Sequence, residues 1–195
     1  MAGFPLYIEI KQKKAVIVGG GEVALRKARV LAEFEADITI ISPEFKHGLK
    51  EMENRGQLHC HQGMINCGQL WMLDTAFMVI CATNDRQVNH EIACYCRERK
   101  IWVDCADSRE DSSFWFPSVV KRDEMVIGVS SSGGVPALTR HLRRKIEQAV
   151  PKWYGELEQS LRIQRDILKQ SDLNHEEKRR KLREMIEEAE RRHGK

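Results

Sequence analysis

Residues 16–31 read VIVGGGEVALRKARVL: an apolar β-branched run, three consecutive glycines, and a stretch with helical periodicity. The run AVIVG at 15–19 predicts a short strand. From Glu22 to about Glu33 the apolar positions Val23, Val30 and Leu31, interleaved with Ala24, Ala28 and Ala32, predict a helix that packs closely on a sheet. Between them, Gly19, Gly21 and Ala24 fit the pattern G-x-G-x-x-G/A. In that pattern the first glycine makes the tight turn, the second lets the backbone approach a pyrophosphate, and the small third residue lets helix and strand come together. The helix start, at Glu22 and Val23, adds free amides and a partial positive charge. The bare pattern is weak; placed after a strand and at the opening of a helix it points to a dinucleotide, the competing reading being a glycine-rich loop that merely turns.

Working outward, strand-like and helical stretches alternate. DITIIS (37–42) predicts a second strand and residues 44–55 a charged helix. LHCHQG (58–63) and FMVICAT (77–83) predict a third and fourth strand, residues 85–99 a helix, and IWVDCA (101–106) a fifth strand. The fourth strand is too continuously apolar for a sheet with one wet face, so the reading is a parallel sheet covered on both sides. The fold class is therefore α/β, a Rossmann-like doubly wound parallel sheet spanning residues 1–113. Beyond Asp107 the rhythm changes. Residues 114–134 read as two strands joined through a polar turn at Lys121–Glu124, and a helix opens at Val135–Pro136, where proline suits the first turn. Its apolar side is Leu138, Leu142, Ile146 and Ala149, with Arg140, Arg143, Arg144 and Lys145 largely elsewhere. These features make 114–150 a small α+β segment. Residues 151–195 form a charged helical region whose last piece, 176–192, carries the narrow apolar stripe Leu182, Met185, Ile186 and Ala189.

The composition restricts the function classes. The 195 residues are 42% hydrophobic and 31% charged with a net charge of +3, which suits a globular protein and does not imply nucleic acid. The C-terminal 25 residues intermix acids and bases evenly, as a salt-bridged helix does and a phosphate-binding arm does not. No stretch has the length of a membrane span and the N-terminus lacks a signal peptide's pattern. The six cysteines show no paired spacing and read as reduced, buried thiols of a cytoplasmic protein.

The cofactor reading carries one departure from the usual fingerprint. NAD sites commonly end the second strand with Asp or Glu, to hold the ribose hydroxyls. Here Ser42 and Pro43 stand there, with Glu44 following, and no arginine is placed to receive a 2′-phosphate, which favours NAD over NADP. Thr83 and Asn84, at the carboxyl end of the fourth strand, are candidates to line the cofactor; a helix cap at Asn84 or Asp85 is the plain alternative.

The runs VIVGGGEVALRKARVL (16–31), ATND (82–85), SFWFPS (113–118) and VSSSGGVPALTRHLR (129–143), with the aspartate that closes the fifth strand, together resemble the precorrin-2 dehydrogenase family of sirohaem synthesis. That family includes stand-alone dehydrogenases, a bifunctional dehydrogenase–ferrochelatase, and the N-terminal module of trifunctional sirohaem synthase. The resemblance covers roughly residues 4–150. It implies an NAD-dependent oxidation of precorrin-2 to sirohydrochlorin, with insertion of Fe2+ in some members, and a homodimer built largely by the segment after the nucleotide-binding domain. It places the catalytic aspartate on Asp107 and aligns Ser131 with a serine of the substrate loop. On the chemistry alone, Asp107 stands where a carboxylate could accept a proton; Asp104 is a rival by chemistry, and a turn cap is the bland reading of Asp107. Precorrin-2 is a polycarboxylate, which makes Arg140, Arg143 and Arg144 candidate substrate ligands, although any one of them reads equally as a solvated helix residue.

Other features carry less. His59 and His61 share one face of a strand but have no third ligand nearby in sequence, so no metal site is assigned. Cys94 and Cys96 point apart on a helix, and Cys105 reads as packing. The alternative to an enzyme is a non-enzymatic NAD-sensing regulatory domain of the same fold, but nothing in such a domain calls for Asp107 or for the basic second segment.

Overall fold

The computed structural model describes residues 3–132 and 134–193. Its first unit, 1–116 with 132–134, is built on five parallel strands. They are β1 (Lys14–Val18), β2 (Asp37–Ser42), β3 (His59–Gln62), β4 (Met78–Cys81) and β5 (Trp102–Cys105), in the order β3-β2-β1-β4-β5. Three helices accompany them: α1 (Glu22–Glu33), α2 (His47–Asn54) and α3 (Arg86–Glu98). The sheet reverses its winding between β1 and β4, where the crevice of a doubly wound sheet opens. Alternation along the strands divides the core. Ile17, Ile40 and Ile80 pack with Ala24, Ala28 and Leu31 of α1 and Leu49 of α2 on one face. Val16, Val79 and Val103 pack with Ile92, Ala93 and Cys96 of α3 on the other. Both faces are covered, and that is why the strands lack polar alternation.

Some boundaries differ from the sequence reading. α2 begins at His47 rather than Glu44, because the Lys46 amide donates to the Gly20 carbonyl (2.9 Å) and holds the preceding residues against the glycine turn. Residues 67–73 form a 3-10 helix that the periodicity did not suggest; Asn66 caps it by accepting from the Gly68 amide. β5 is an edge strand, and the two serines before Phe114 cover it. The Val103 amide donates to Ser113 Oγ (2.8 Å) and the Cys105 amide to Ser112 Oγ (2.9 Å), satisfying groups an open edge would expose.

The second unit, 117–131 with 135–195, holds the antiparallel pair β6 (Ser118–Arg122) and β7 (Met125–Val129) and the helices α4 (Pro136–Ala149), α5 (Trp153–Lys169) and α6 (His175–His193). It joins the 114–150 segment, past its first residues, to the C-terminal helices. The turn is Asp123–Glu124, with Asp123 left-handed at φ 51°. α5 and α6 run antiparallel: Tyr154 donates to Glu190 (3.0 Å), and Trp153 stacks on His193. Asn174 and Glu177 form a capping box at the start of α6.

Candidate nucleotide site

The three glycines have three different reasons. Gly19 is left-handed at φ 120°, and a Cβ there would overlap the Ala82 carbonyl of the neighbouring strand end. A Cβ on Gly20 would overlap the Glu44 carbonyl. Both are therefore demanded by the protein's own backbone. Gly21 is demanded by neither: its φ of −87° suits any residue, and a Cβ there would meet nothing within 4 Å. It is the N-cap of α1, where Asp, Asn and Ser are favoured, yet no side chain caps this helix. The first-turn amides, at Glu22 and Val23 among others, have no intrahelical partner. Open space in front of an uncapped helix start is what a dinucleotide's pyrophosphate requires, so the residues present fit that group.

Around the turn, Ser42 is buried and its hydroxyl lies under Gly20, so it supports the turn from beneath, while Pro43 and Glu44 are exposed beyond it. At the end of β4, Thr83 Oγ1 donates to Asn89 Oδ1 (2.7 Å) and accepts from the Asp85 amide (3.1 Å). Asp85, not Asn84, caps α3, accepting from the amides of Gln87 (2.9 Å) and Val88 (3.2 Å). Asn84 is exposed beside it. Asp85→Ala is expected to cost about 1 kcal/mol, read as a fall of roughly 3 °C in Tm.

Val18, Cys81 and Cys105 lie in one register row across β1, β4 and β5, and the Ala82 and Ala106 amides continue the ladder past the strand ends. Gly19, Ala82 and Ala106 are therefore level, and Asp107 follows on the same edge of the sheet, two strand spacings, roughly 10 Å, from the glycine turn. Its carboxylate is exposed and makes no hydrogen bond among the described residues. The turn is closed by Ser108, which accepts from the Asp111 amide and whose carbonyl accepts from Ser112. Asp107 is thus not a cap.

A family model described as putative NAD(P)-binding matches residues 6–118, more than half of the chain and all five parallel strands. The chain belongs to this NAD(P)-binding family. Within the curated proteins it is 34% identical over 157 residues to a siroheme synthase of Chromobacterium violaceum, covering 80% of the chain and 33% of that protein. It is 36% identical over 151 residues to a siroheme synthase of Photorhabdus laumondii, covering 77% and 32%. The chain thus spans about a third of the length of these relatives. A solved structure described as SirC, precorrin-2 dehydrogenase, superposes with a TM-score of 0.73 over 94% of this chain and 89% of that one, at 23% identity, and shares the fold.

Two features of this NAD(P)-binding chain escaped the sequence. Lys27, on the inner face of α1, forms a buried ion pair with Asp104 of β5 (8% and 5% exposed), with the Phe116 ring 5.3 Å from its ammonium. Asp104 is therefore tied up in the core, while Asp107 stands in solvent. Nor are all the cysteines buried. Cys81, Cys96 and Cys105 are, Cys60 and Cys94 are half-buried, and Cys67 is exposed; all six are free thiols. Burial pushes the Cys60 thiol up to about 11 and the Cys96 thiol up to about 12, which keeps both protonated. His59 and His61 are exposed on the edge strand β3. No cluster of three or more His, Cys, Asp or Glu side chains able to hold a metal ion occurs among the described residues.

In the second unit, α4 turns a different face inward from the one its hydrophobicity suggests. Thr139 is buried, whereas Val135, Leu138 and Leu142 are 52%, 50% and 40% exposed. Arg143 faces the strand pair: Nε donates to the Val119 carbonyl (3.0 Å) and Nη2 to Glu147 (2.7 Å). Arg143 thus lies along the strand pair with its side chain still 38% exposed, while Leu138 and Leu142 are turned away. Arg140 and Arg144 are exposed. Ser131 Oγ accepts from the Val135 amide (2.9 Å), holding the approach to α4.

Proposed function

We propose that this chain is a precorrin-2 dehydrogenase that uses NAD to make sirohydrochlorin. The observation that carries the reading is the exposed carboxylate of Asp107, unpartnered among the described residues, on the same sheet edge as a glycine turn with space for a pyrophosphate. The match to siroheme synthases supports the substrate class, and the fold shared with SirC is consistent with it. NAD, when bound, supplies the hydride acceptor. The chain's part is to hold the dinucleotide at the α1 amides and to take up the proton that oxidation of the macrocycle releases. Asp107, which makes no other hydrogen bond among the described residues, is the group that accepts it. The carboxylates of the substrate are assigned to the exposed guanidinium groups of Arg140 and Arg144 in the second unit, while Arg143 and Ser131 hold that unit's own backbone.

A homodimer is part of the same reading, supported by the exposed apolar strip Val135–Leu138–Leu142, which leaves an amphipathic helix without cover. The site is proposed to work in the cytoplasm, where six free thiols stay reduced. Among the described residues no helix is long and apolar enough to cross a membrane. Fe2+ is a candidate second substrate, with Asp107 taking pyrrole protons as the metal enters.

The test is anaerobic incubation with precorrin-2 and NAD, following NADH and the sirohydrochlorin spectrum together, then addition of Fe2+. Matched appearance of NADH and sirohydrochlorin is expected. Tight NAD binding without turnover would replace this reading with that of a nucleotide-sensing domain. Asp107→Asn is expected to lower kcat about 100-fold while leaving the Kd for NAD unchanged. Unaltered kcat would remove Asp107 from the mechanism.

A further inference from the structure

The α3 face of the first unit carries a second polar constellation, independent of the nucleotide turn. Cys94 Sγ lies 3.5 Å from His90 Nε2, one helical turn earlier. His90 Nδ1 lies 2.8 Å from Asp111 Oδ1, contributed by the segment after β5. Arg97 Nη2 reaches both, at 3.0 Å from Asp111 Oδ1 and 3.7 Å from Cys94 Sγ. Positions 90, 94 and 97 share one stripe of the helix, and the carboxylate closes over it from outside. Facing a carboxylate, Nδ1 carries the imidazole proton and donates it to Asp111. Nε2 is then left as an acceptor for the thiol. Burial works to raise the Asp111 carboxyl, but its hydrogen bonds with Ser108 and His90 and the positive charge of Arg97 outweigh this and hold it below the ordinary range. It therefore stays ionised to orient the ring. A thiol, a base and an orienting carboxylate in hydrogen-bond sequence form the arrangement that activates a nucleophilic sulfur. Arg97 adds a positive charge beside the developing thiolate.

We propose that Cys94 is an activated thiol and the site at which low-molecular-weight disulfides modify this protein. His90 Nε2 takes the proton from Cys94 Sγ as the sulfur attacks one sulfur of the disulfide. A new S–S bond forms, the original one breaks, and the departing thiolate takes the electron pair and then a proton. Cys94 is oxidised to the mixed disulfide, and the small disulfide is reduced by the same two electrons. The access is open: Cys94 is half-buried, while the His90 and Arg97 side chains are 57% and 45% exposed. The chain supplies its own comparison. Cys67 is more exposed than Cys94, but its thiol lies 3.2 Å from the Glu91 carboxylate, and that hydrogen bond, followed by the negative charge, pushes it up.

The experiment treats the full chain with oxidised glutathione at pH 7 and locates the adduct by peptide mass spectrometry over time. Cys94 is expected to react about tenfold faster than Cys67 despite its lower exposure, and His90→Gln to lower the Cys94 rate about tenfold while leaving Cys67 unchanged. In denaturant the two cysteines should react alike. Cys94→Ser should retain NAD affinity and lose the fast adduct. Faster modification of Cys67, or an unchanged Cys94 rate in His90→Gln with its fold intact by circular dichroism, would overturn the proposal.

Discussion

Gly21→Asp is expected to raise the Kd for NAD about a thousandfold while leaving the unliganded protein folded, with its Tm unchanged or slightly higher. The two halves of this expectation come from different physics. A carboxylate at that position would meet a pyrophosphate at close range; two like charges about 4 Å apart at the effective dielectric of a protein surface repel by about 4 kcal/mol, or roughly a thousandfold in affinity. Without a ligand nothing opposes the substitution, because the Cβ enters open space and φ is ordinary. Aspartate is also a slightly better N-cap than glycine. Titration calorimetry and thermal melting of the same variant separate the two effects. Gly20→Ala is the opposite case: its methyl group would overlap the Glu44 carbonyl, so that variant is expected to lose stability first and binding only as a consequence. If Gly21→Asp unfolds the protein, the glycine serves the fold and the argument from empty space fails.

Breaking the Lys27–Asp104 pair is expected to cost about 3–5 kcal/mol, seen as a fall in Tm of roughly 10 °C in Asp104→Ala, because a buried ammonium is left without its counter-charge. The pair joins α1, which opens at the glycine turn, to β5, which leads to Asp107. The double variant Lys27→Met with Asp104→Leu removes both charges, and most of the lost stability is expected to return, since an apolar pair of similar volume replaces a buried ion pair at little cost. Chemical denaturation of the two single variants and the double variant measures this. A loss under about 1 kcal/mol in both singles would mean that water reaches the pair and that it does not tie helix to strand.

The residues that were hard to read were those whose partners are far away in the chain. α1 and β2 could be placed from sequence to the residue, because strand and helix periods and the glycine punctuation are local signals. The Lys27–Asp104 pair spans 77 positions and is visible only once α1 lies over β5. For α4, amphipathicity marked an apolar strip but could not say that Thr139 and Arg143 would turn inward and leave Leu138 and Leu142 outside. Arg143 donates to the Val119 carbonyl of a strand that the helix meets only in three dimensions. The pattern G-x-G-x-x-A marked the glycine turn as a candidate nucleotide site, yet it treated Gly20 as filler. In the folded chain Gly20 is confined by backbone and Gly21 alone is open. The His90–Cys94–Asp111 cluster was likewise hidden, because its orienting carboxylate comes from the segment after β5.

The central claim is that a dinucleotide lies on the amino end of α1. Backbone hydrogen exchange with and without saturating NAD tests it most directly. Slowed exchange concentrated in residues 19–25, with a smaller effect at 82–85, is the predicted result. Protection that avoids the glycine turn and appears instead between α1 and α2, around Arg29 and Arg55, would contradict the account.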